Sequence, residues 1–267
     1  MLECLVDGEI STQISVADRG FQYGDGLFET MAVHRGQPRF WQSHMDRLAA
    51  GCERLQLPVP AQSVLLREVQ TVSAGQRSCV VKIIVTRGTS GRGYAPSFPV
   101  TANRIVCSYP WPDDPGQLDQ VGIRTRICKL RLALQPALAG MKHLNRLEQV
   151  LARAEWSDPS IHEGILLDTE DCVVSAISSN IFLVAGDRLL TPRMDRCGVR
   201  GVMRANILKA FSTRCEQRRI TLDMLPDADS VFVCNSVRGI FPVLRIDHWE
   251  YEISPVIREV QQWLSEQ

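Results

Sequence analysis

Apolar residues recur along this chain with two periods, and the period changes from segment to segment. LECLVDGEI and GLFETMAVHRGQPRF resemble strand pairs folded about a D-G and an R-G turn. The stretch from Trp41 to Leu57 has the spacing of a helix. SCVVKIIVTRG, rich in Val and Ile and ending at glycine, is the clearest strand, and NRIVCSYP is a second that runs into WPDDPGQ. Three prolines and a glycine fall within Pro110 to Gly116, so a domain boundary is expected there: residues 1–109 as one α+β domain, 110–117 as linker, 118–267 as a second.

The second half repeats the mixture. GIRTRICKLRL reads as a strand, EGILLDTEDCVVSAISSNIFLVAGDRLLTP as a strand meander, Gly201 to Arg219 as a helix, VFVCNSVRGIFPV as further strand, and Pro255 to Leu264 as a terminal helix. Between the first two lies GMKHLNRLEQVLARAEW, Gly140 to Trp156. There Leu144, Leu147, Leu151 and Ala154 form one apolar stripe, with Arg146, Glu148, Gln149 and Arg153 on the other faces. This predicts an amphipathic helix with Lys142 at its mouth. Hairpins with helices between them suggest an α+β fold more than a doubly wound parallel sheet.

Composition narrows the classes of function. With 30 basic and 30 acidic residues the formal charge is zero, so nothing draws the chain in bulk to nucleic acid or to an anionic membrane, and neither is an expected partner. Any anionic ligand must then be met by local arginines. Nine scattered cysteines without a C-x-x-C pair fit a reducing, cytoplasmic compartment. The start, MLECLVDGEI, lacks a basic region followed by an apolar run, and no stretch approaches the length of a membrane span. The five histidines show no metal-ligand spacing, so no metal is expected. The phosphate-loop, zinc-protease, serine-hydrolase and dinucleotide motifs are all missing.

What remains is a lysine, an arginine and a glycine pair. A lysine at a helix mouth is ordinarily a solvated charge, but desolvation and neighbouring cations can lower its pKa until the amine attacks an aldehyde. In HMDRL, Arg47 follows His44 by three residues on the same helical face and is a candidate anion clamp. CGVRGVMR brings two glycines to the start of a helix, where free N–H groups and the dipole favour a phosphate. Together these are what a phosphorylated aldehyde cofactor, pyridoxal 5'-phosphate, requires.

The same segments resemble the fold type IV pyridoxal-phosphate enzymes, which include branched-chain and D-amino acid aminotransferases and aminodeoxychorismate lyases. The resemblance spans essentially the whole chain through ADRGFQYGDGLFET, HMDRL, VTRGTSGRGY, KHLNRLEQVLARAE, SSNIF and GVRGVMR. KHLNRLEQVLAR and TRGTSGRGY are closer to the lyases than to the aminotransferases. The resemblance implies a two-domain, D-amino acid aminotransferase-like architecture, a homodimer, and Lys142 carrying the cofactor covalently. It implies that Arg47, the backbone N–H groups of Val202 and Met203, and Asn235 and Ser236 surround the cofactor phosphate. It also implies that Arg92 recognises a substrate carboxylate and that Tyr109 borders the site. The reaction implied is conversion of the small molecule 4-amino-4-deoxychorismate to p-aminobenzoate and pyruvate, a step of folate synthesis.

One position departs from the family pattern. Where these enzymes place a glutamate against the pyridine nitrogen, this chain has Ser175, a hydroxyl that can hydrogen-bond but carries no charge to hold a proton there. A weaker electron sink is expected. Aromatisation of the product helps a lyase tolerate it, whereas an aminotransferase, the alternative of the same fold, suffers more. The alternative of another class is a catalytically silent, cofactor-binding homologue.

Overall fold

Strand β1 (Cys4–Val6) turns back into β2 (Glu9–Ile10) through Asp7 and Gly8, both at positive φ, as a two-residue hairpin turn requires. The computed structural model that shows this describes residues 1, 3–113 and 117–267. Part of the expected linker, residues 114–116, lies outside the described residues. The chain divides into two units: Met1–Asp113 with Met141–Asn145, and Asp114–Gly140 with Arg146–Gln267.

The first unit continues with α1 (Arg19–Tyr23), β3 (Gly26–His34), β4 (Gln37–Pro38), α2 (Trp41–Leu55), α3 (Gln62–Val72), β5 (Ser78–Thr86) and β6 (Asn103–Pro110). Its sheet has the order β2-β1-β6-β5-β3-β4, antiparallel throughout. The expected Arg35-Gly36 turn joins β3 to β4, both residues at positive φ. Strand β5 alternates: Cys79, Val81, Ile83 and Val85 are buried, while Val80, Lys82 and Ile84 are half-buried on the other face. Helix α2 buries Met45, Leu48 and Cys52, and α3 buries Leu65, Val69 and Val72. Each such side chain removed from water stabilises the unit by about 1.5–3 kcal/mol. Helix α3 was not among the expected elements; its apolar spacing lies between two proline- and glycine-marked loops. Cys4 and Cys107, paired across β1 and β6, are joined as a disulfide, and the other seven cysteines are free thiols.

The second unit comprises α4 (Leu118–Val121), β7 (Ile123–Leu132), α5 (Leu147–Arg153), β8 (Glu163–Asp168), β9 (Cys172–Ala176), β10 (Asn180–Ala185), β11 (Arg188–Pro192), α6 (Val202–Ala210), β12 (Cys215–Arg218), β13 (Ile220–Thr221), β14 (Ser230–Asn235), β15 (Gly239–Ile246), β16 (Trp249–Glu250) and α7 (Pro255–Ser265). The sheet runs β12-β11-β10-β14-β15-β7-β8-β9-β13, with β16 beside β15. Most pairs are antiparallel; β11–β12, β15–β7 and β7–β8 are parallel. Strands β9, β10 and β14 are buried along nearly their whole length, which is why they read as unbroken apolar runs. Phe182 and Phe232, directly opposite in β10 and β14, stack at 4.9 Å.

Three expectations are corrected here. Lys142 is not at a helix mouth, because residues 140–144 use their backbone groups for strand-like pairing and α5 begins only at Leu147. The stripe on α5 is not a core face: Leu147 and Leu151 are 75% and 60% exposed, as is Val150 beside them at 59%. The polar side is the anchored one, with Glu148 accepting a hydrogen bond from the Ala133 N–H (2.8 Å) and Arg153 lying over the Trp156 ring. Helical structure also stops at Ala210, short of Arg219, because residues 215–218 are captured as a parallel strand on β11.

Candidate active site

In the first unit the segment around Lys142 is sewn onto the start of β3. Phe28 N–H donates to the Lys142 carbonyl (2.9 Å), Leu144 N–H donates to the Gly26 carbonyl (3.0 Å), and Leu27 bridges His143. The sequence places Lys142 in the second domain; by its contacts, this segment goes with the first unit. Its Nζ lies 4.3 Å from the centroid of the Phe28 ring, a cation–π contact that fixes the amine over an apolar surface.

Glu29, the next residue of β3, points to the opposite face and is 1% exposed. Its carboxylate accepts from Arg47 Nε (2.8 Å) and Nη2 (2.5 Å) and from His44 Nδ1 (2.6 Å). Burial alone pushes the Glu29 carboxyl up, but Arg47 and His44 more than reverse this and hold it at about 2. Burial pushes His44 down, and Lys142 lowers it too. A neutral ring whose Nδ1–H donates a hydrogen bond to Glu29 leaves Nε2 an acceptor, and that atom is buried without a hydrogen-bond partner among the described residues. The expected helical pairing of His44 and Arg47 therefore holds, through a glutamate that sequence reading missed. A buried glutamate inside the apolar run GLFETMAV was the available signal.

Arg92 and Tyr109 belong to other parts of this unit. Arg92 is exposed on the loop after β5. Buried Arg19 clamps that loop, donating to Ser90 Oγ (3.2 Å) and to the carbonyls of Gly93 (2.9 Å) and Tyr94 (2.9 Å) while its Nε is held by Asp25 (2.9 Å). Tyr109 is half-buried in β6 and packs against Cys4, Ile105 and Cys107.

In the second unit Val202 and Met203 are the first two residues of α6, and no side chain caps that helix. Its first N–H groups are thus available to an anion. Gly201 precedes them. A Cβ at that position would collide with Asn180 Oδ1, and Asn180 is itself tied by Nδ2 to the Val199 carbonyl (3.0 Å). Asn235 ends β14 and organises the next turn, its Oδ1 accepting from Val237 N–H (3.0 Å) and Arg238 N–H (2.8 Å), its Nδ2 reaching Ser179 Oγ (3.1 Å). Ser236 lies in this turn. Ser179 and Ser178 donate to Glu163, whose carboxyl is pushed up by burial. Ser175 sits in β9 opposite Leu166, 9% exposed, and its hydroxyl makes no hydrogen bond among the described residues. The structure thus groups Asn235 and Ser236 with the β10 end of the sheet and sets Val202 and Met203 at an uncapped, glycine-led helix start.

A primary amine lodged over an aromatic ring, an arginine locked by a carboxylate, and a helix N-terminus that only glycine can open all fit pyridoxal 5'-phosphate. The chain belongs to the amino-transferase class IV family, whose sequence model matches residues 26–246. The expected α+β, two-domain fold type IV architecture is the one found. Within the family it is 35% identical to the aminodeoxychorismate lyase of Vibrio harveyi, with 93% of each chain covered. It also resembles the crystal structure of 4-amino-4-deoxychorismate lyase from Pseudomonas aeruginosa, at TM-score 0.94 and 44% identity, covering 99% of this chain and 98% of that one. The branched-chain amino acid aminotransferase of Escherichia coli shares the fold, at TM-score 0.84 and 22% identity over 98% of this chain and 92% of that one.

Proposed function

We propose that this chain is a pyridoxal-phosphate lyase that converts 4-amino-4-deoxychorismate to p-aminobenzoate and pyruvate, a step of folate synthesis. The observation that carries the reading is the Lys142 amine, pinned to β3 and held over Phe28, within a segment that matches the lyases. The cofactor, when bound, supplies a ring that withdraws electrons from the substrate's amine-bearing carbon.

The residues divide the remaining work. Arg47, held flat by Glu29, and the backbone N–H groups of Val202 and Met203 bind the phosphate, with Asn235 and Ser236 lining the cup. A bidentate arginine fixes orientation as well as charge. Lys142 Nζ, once free, takes the proton from the amine-bearing ring carbon, and the carbon–oxygen bond to the enolpyruvyl group breaks as the ring becomes aromatic. The same amine then gives a proton to the methylene carbon of the departing fragment, completing pyruvate. Arg92 reads one substrate carboxylate and Tyr109 borders the site. Ser175, neutral and without a partner, offers a hydrogen bond where an aminotransferase would need a charge, which favours elimination over transamination.

The reading extends to a homodimer working in the cytoplasm. The exposed apolar residues of α5 supply a surface for self-association, most cysteines are free thiols, and among the described residues no helix is long and apolar enough to cross a membrane.

The test pairs a spectrum with an assay. Purified protein should absorb at ~410–430 nm, the range of this cofactor joined to a lysine amine; borohydride should fix the label on Lys142, and fresh aminodeoxychorismate should yield p-aminobenzoate. A labelled protein that makes glutamate from an amino acid and 2-oxoglutarate, but no p-aminobenzoate, is an aminotransferase instead. Absence of the band sinks the cofactor assignment.

A further inference from the structure

The substrate proposed above carries two carboxylates, and Arg92 accounts for one. A second cation lies next to the reactive amine. Lys82 leaves β5 on the half-buried face, opposite Thr30 of β3 and Cys107 of β6, one diagonal step from Phe28. Its Nζ is 4.9 Å from the centroid of the Phe28 ring, the same ring that Lys142 Nζ approaches at 4.3 Å. The two amines therefore lie within about 9 Å of each other, joined by one aromatic ring that attracts cations.

Three features set Lys82 apart from a solvated surface lysine. It is half-buried, and burial pushes its ammonium down from the ordinary lysine value. Its side chain makes no hydrogen bond or ion pair among the described residues, whereas the neighbouring cations Arg87 and Arg19 share Asp25, Arg47 has Glu29 and Arg104 has Glu68. And it shares its ring with a second lysine, so two like charges face a common surface. A partly desolvated cation left without an anion is costly unless an anionic ligand completes it.

We propose that Lys82 is a substrate-binding, specificity-determining residue that receives one of the two carboxylates beside the Lys142 amine, leaving the other to Arg92. This rests on the lyase reading. It makes the Lys142–Phe28–Lys82 row a selector for dianions: the ring holds both amines at a set spacing, one for chemistry and one for charge. Lysine is suited to this position because a compact ammonium on a flexible stem can meet a carboxylate without the planar registration that a guanidinium demands.

The experiment uses cofactor-loaded protein and four stable aromatic analogues: a benzoate carrying a second carboxylate on an ether arm, the two monoacids that lack one carboxylate or the other, and the uncharged diamide. Binding is read from the shift of the cofactor absorption band, alongside KM and kcat for the reaction. Lys82→Met, similar in length and apolar, should weaken the diacid and one monoacid at least tenfold, leave the other monoacid and the diamide within twofold, and raise KM more than it lowers kcat. Lys82→Arg should restore most of the diacid binding. Equal weakening of all four ligands, or no change in any, overturns the assignment. Failure of the lyase reading looks different, since native protein would then hold its cofactor and yet release no p-aminobenzoate.

Discussion

Glu29 shows how a single buried carboxylate organises the side chains that α2 turns toward β3, His44 and Arg47. It is almost wholly enclosed, yet two partners keep it ionised down to about pH 2. Its folded pKa lies below the ordinary 4.5, so its contribution to stability is full above about pH 4.5 and is lost as pH falls through about 2. Linkage puts the amount at roughly 3 kcal/mol over that window. Urea unfolding between pH 5 and pH 2.5 should therefore show a stability slope in the native protein that flattens in Glu29→Gln, and parallel slopes would remove Glu29 as the source. In the sequence the one trace of this is a polar letter inside an apolar strand, which marks Glu29 but not its partners. Arg47 and His44 could be named because helical spacing relates them directly, but what locks them arrives from another element. Lys142 could be named from its motif, whereas the Phe28 ring beside it, and Lys82 on the same ring, depend on how two strands register.

At the scale of elements, local signals served best where one residue type dictates geometry. The Asp7-Gly8 and Arg35-Gly36 turns, the β5 run and the terminal helix are where their residues place them. The α5 segment misled because periodicity reports an apolar stripe and not what covers it. Pairing of residues 140–144 also consumes backbone groups that helix would otherwise use. Gly201 is the element-level position with the sharpest demand. Its φ of −63° suits any residue, so only the collision with Asn180 Oδ1 requires glycine. Gly201→Ala should cost about 1–3 kcal/mol through overpacking and weaken cofactor binding at least tenfold as the α6 N-terminus shifts; fluorescence titration that gives native affinity would exclude α6 from the phosphate site.

For the molecule as a whole, an α+β class could be read from hairpin signals with helices between them. The parallel pairs β15–β7 and β7–β8 could not, since they join residues far apart in the chain. Self-association belongs to this scale. With Leu147, Val150 and Leu151 exposed on one short helix, Leu147→Lys with Leu151→Lys should shift sedimentation from dimer to monomer at micromolar concentration while leaving each chain folded. Unchanged sedimentation would remove α5 as the self-association surface.

The route of the chain through residues 140–146 bears on how the protein is made. The strand that receives Lys142 is complete by His34, but the segment that docks on it emerges from the ribosome only after residues 117–140 of the other unit. A nascent chain stopped before Met141 thus holds the Phe28 edge without its lysine, and a fragment beginning at residue 117 holds the lysine without its edge. Lys142 takes its place over Phe28 only when both stretches are present, so neither half, expressed alone, can assemble that contact.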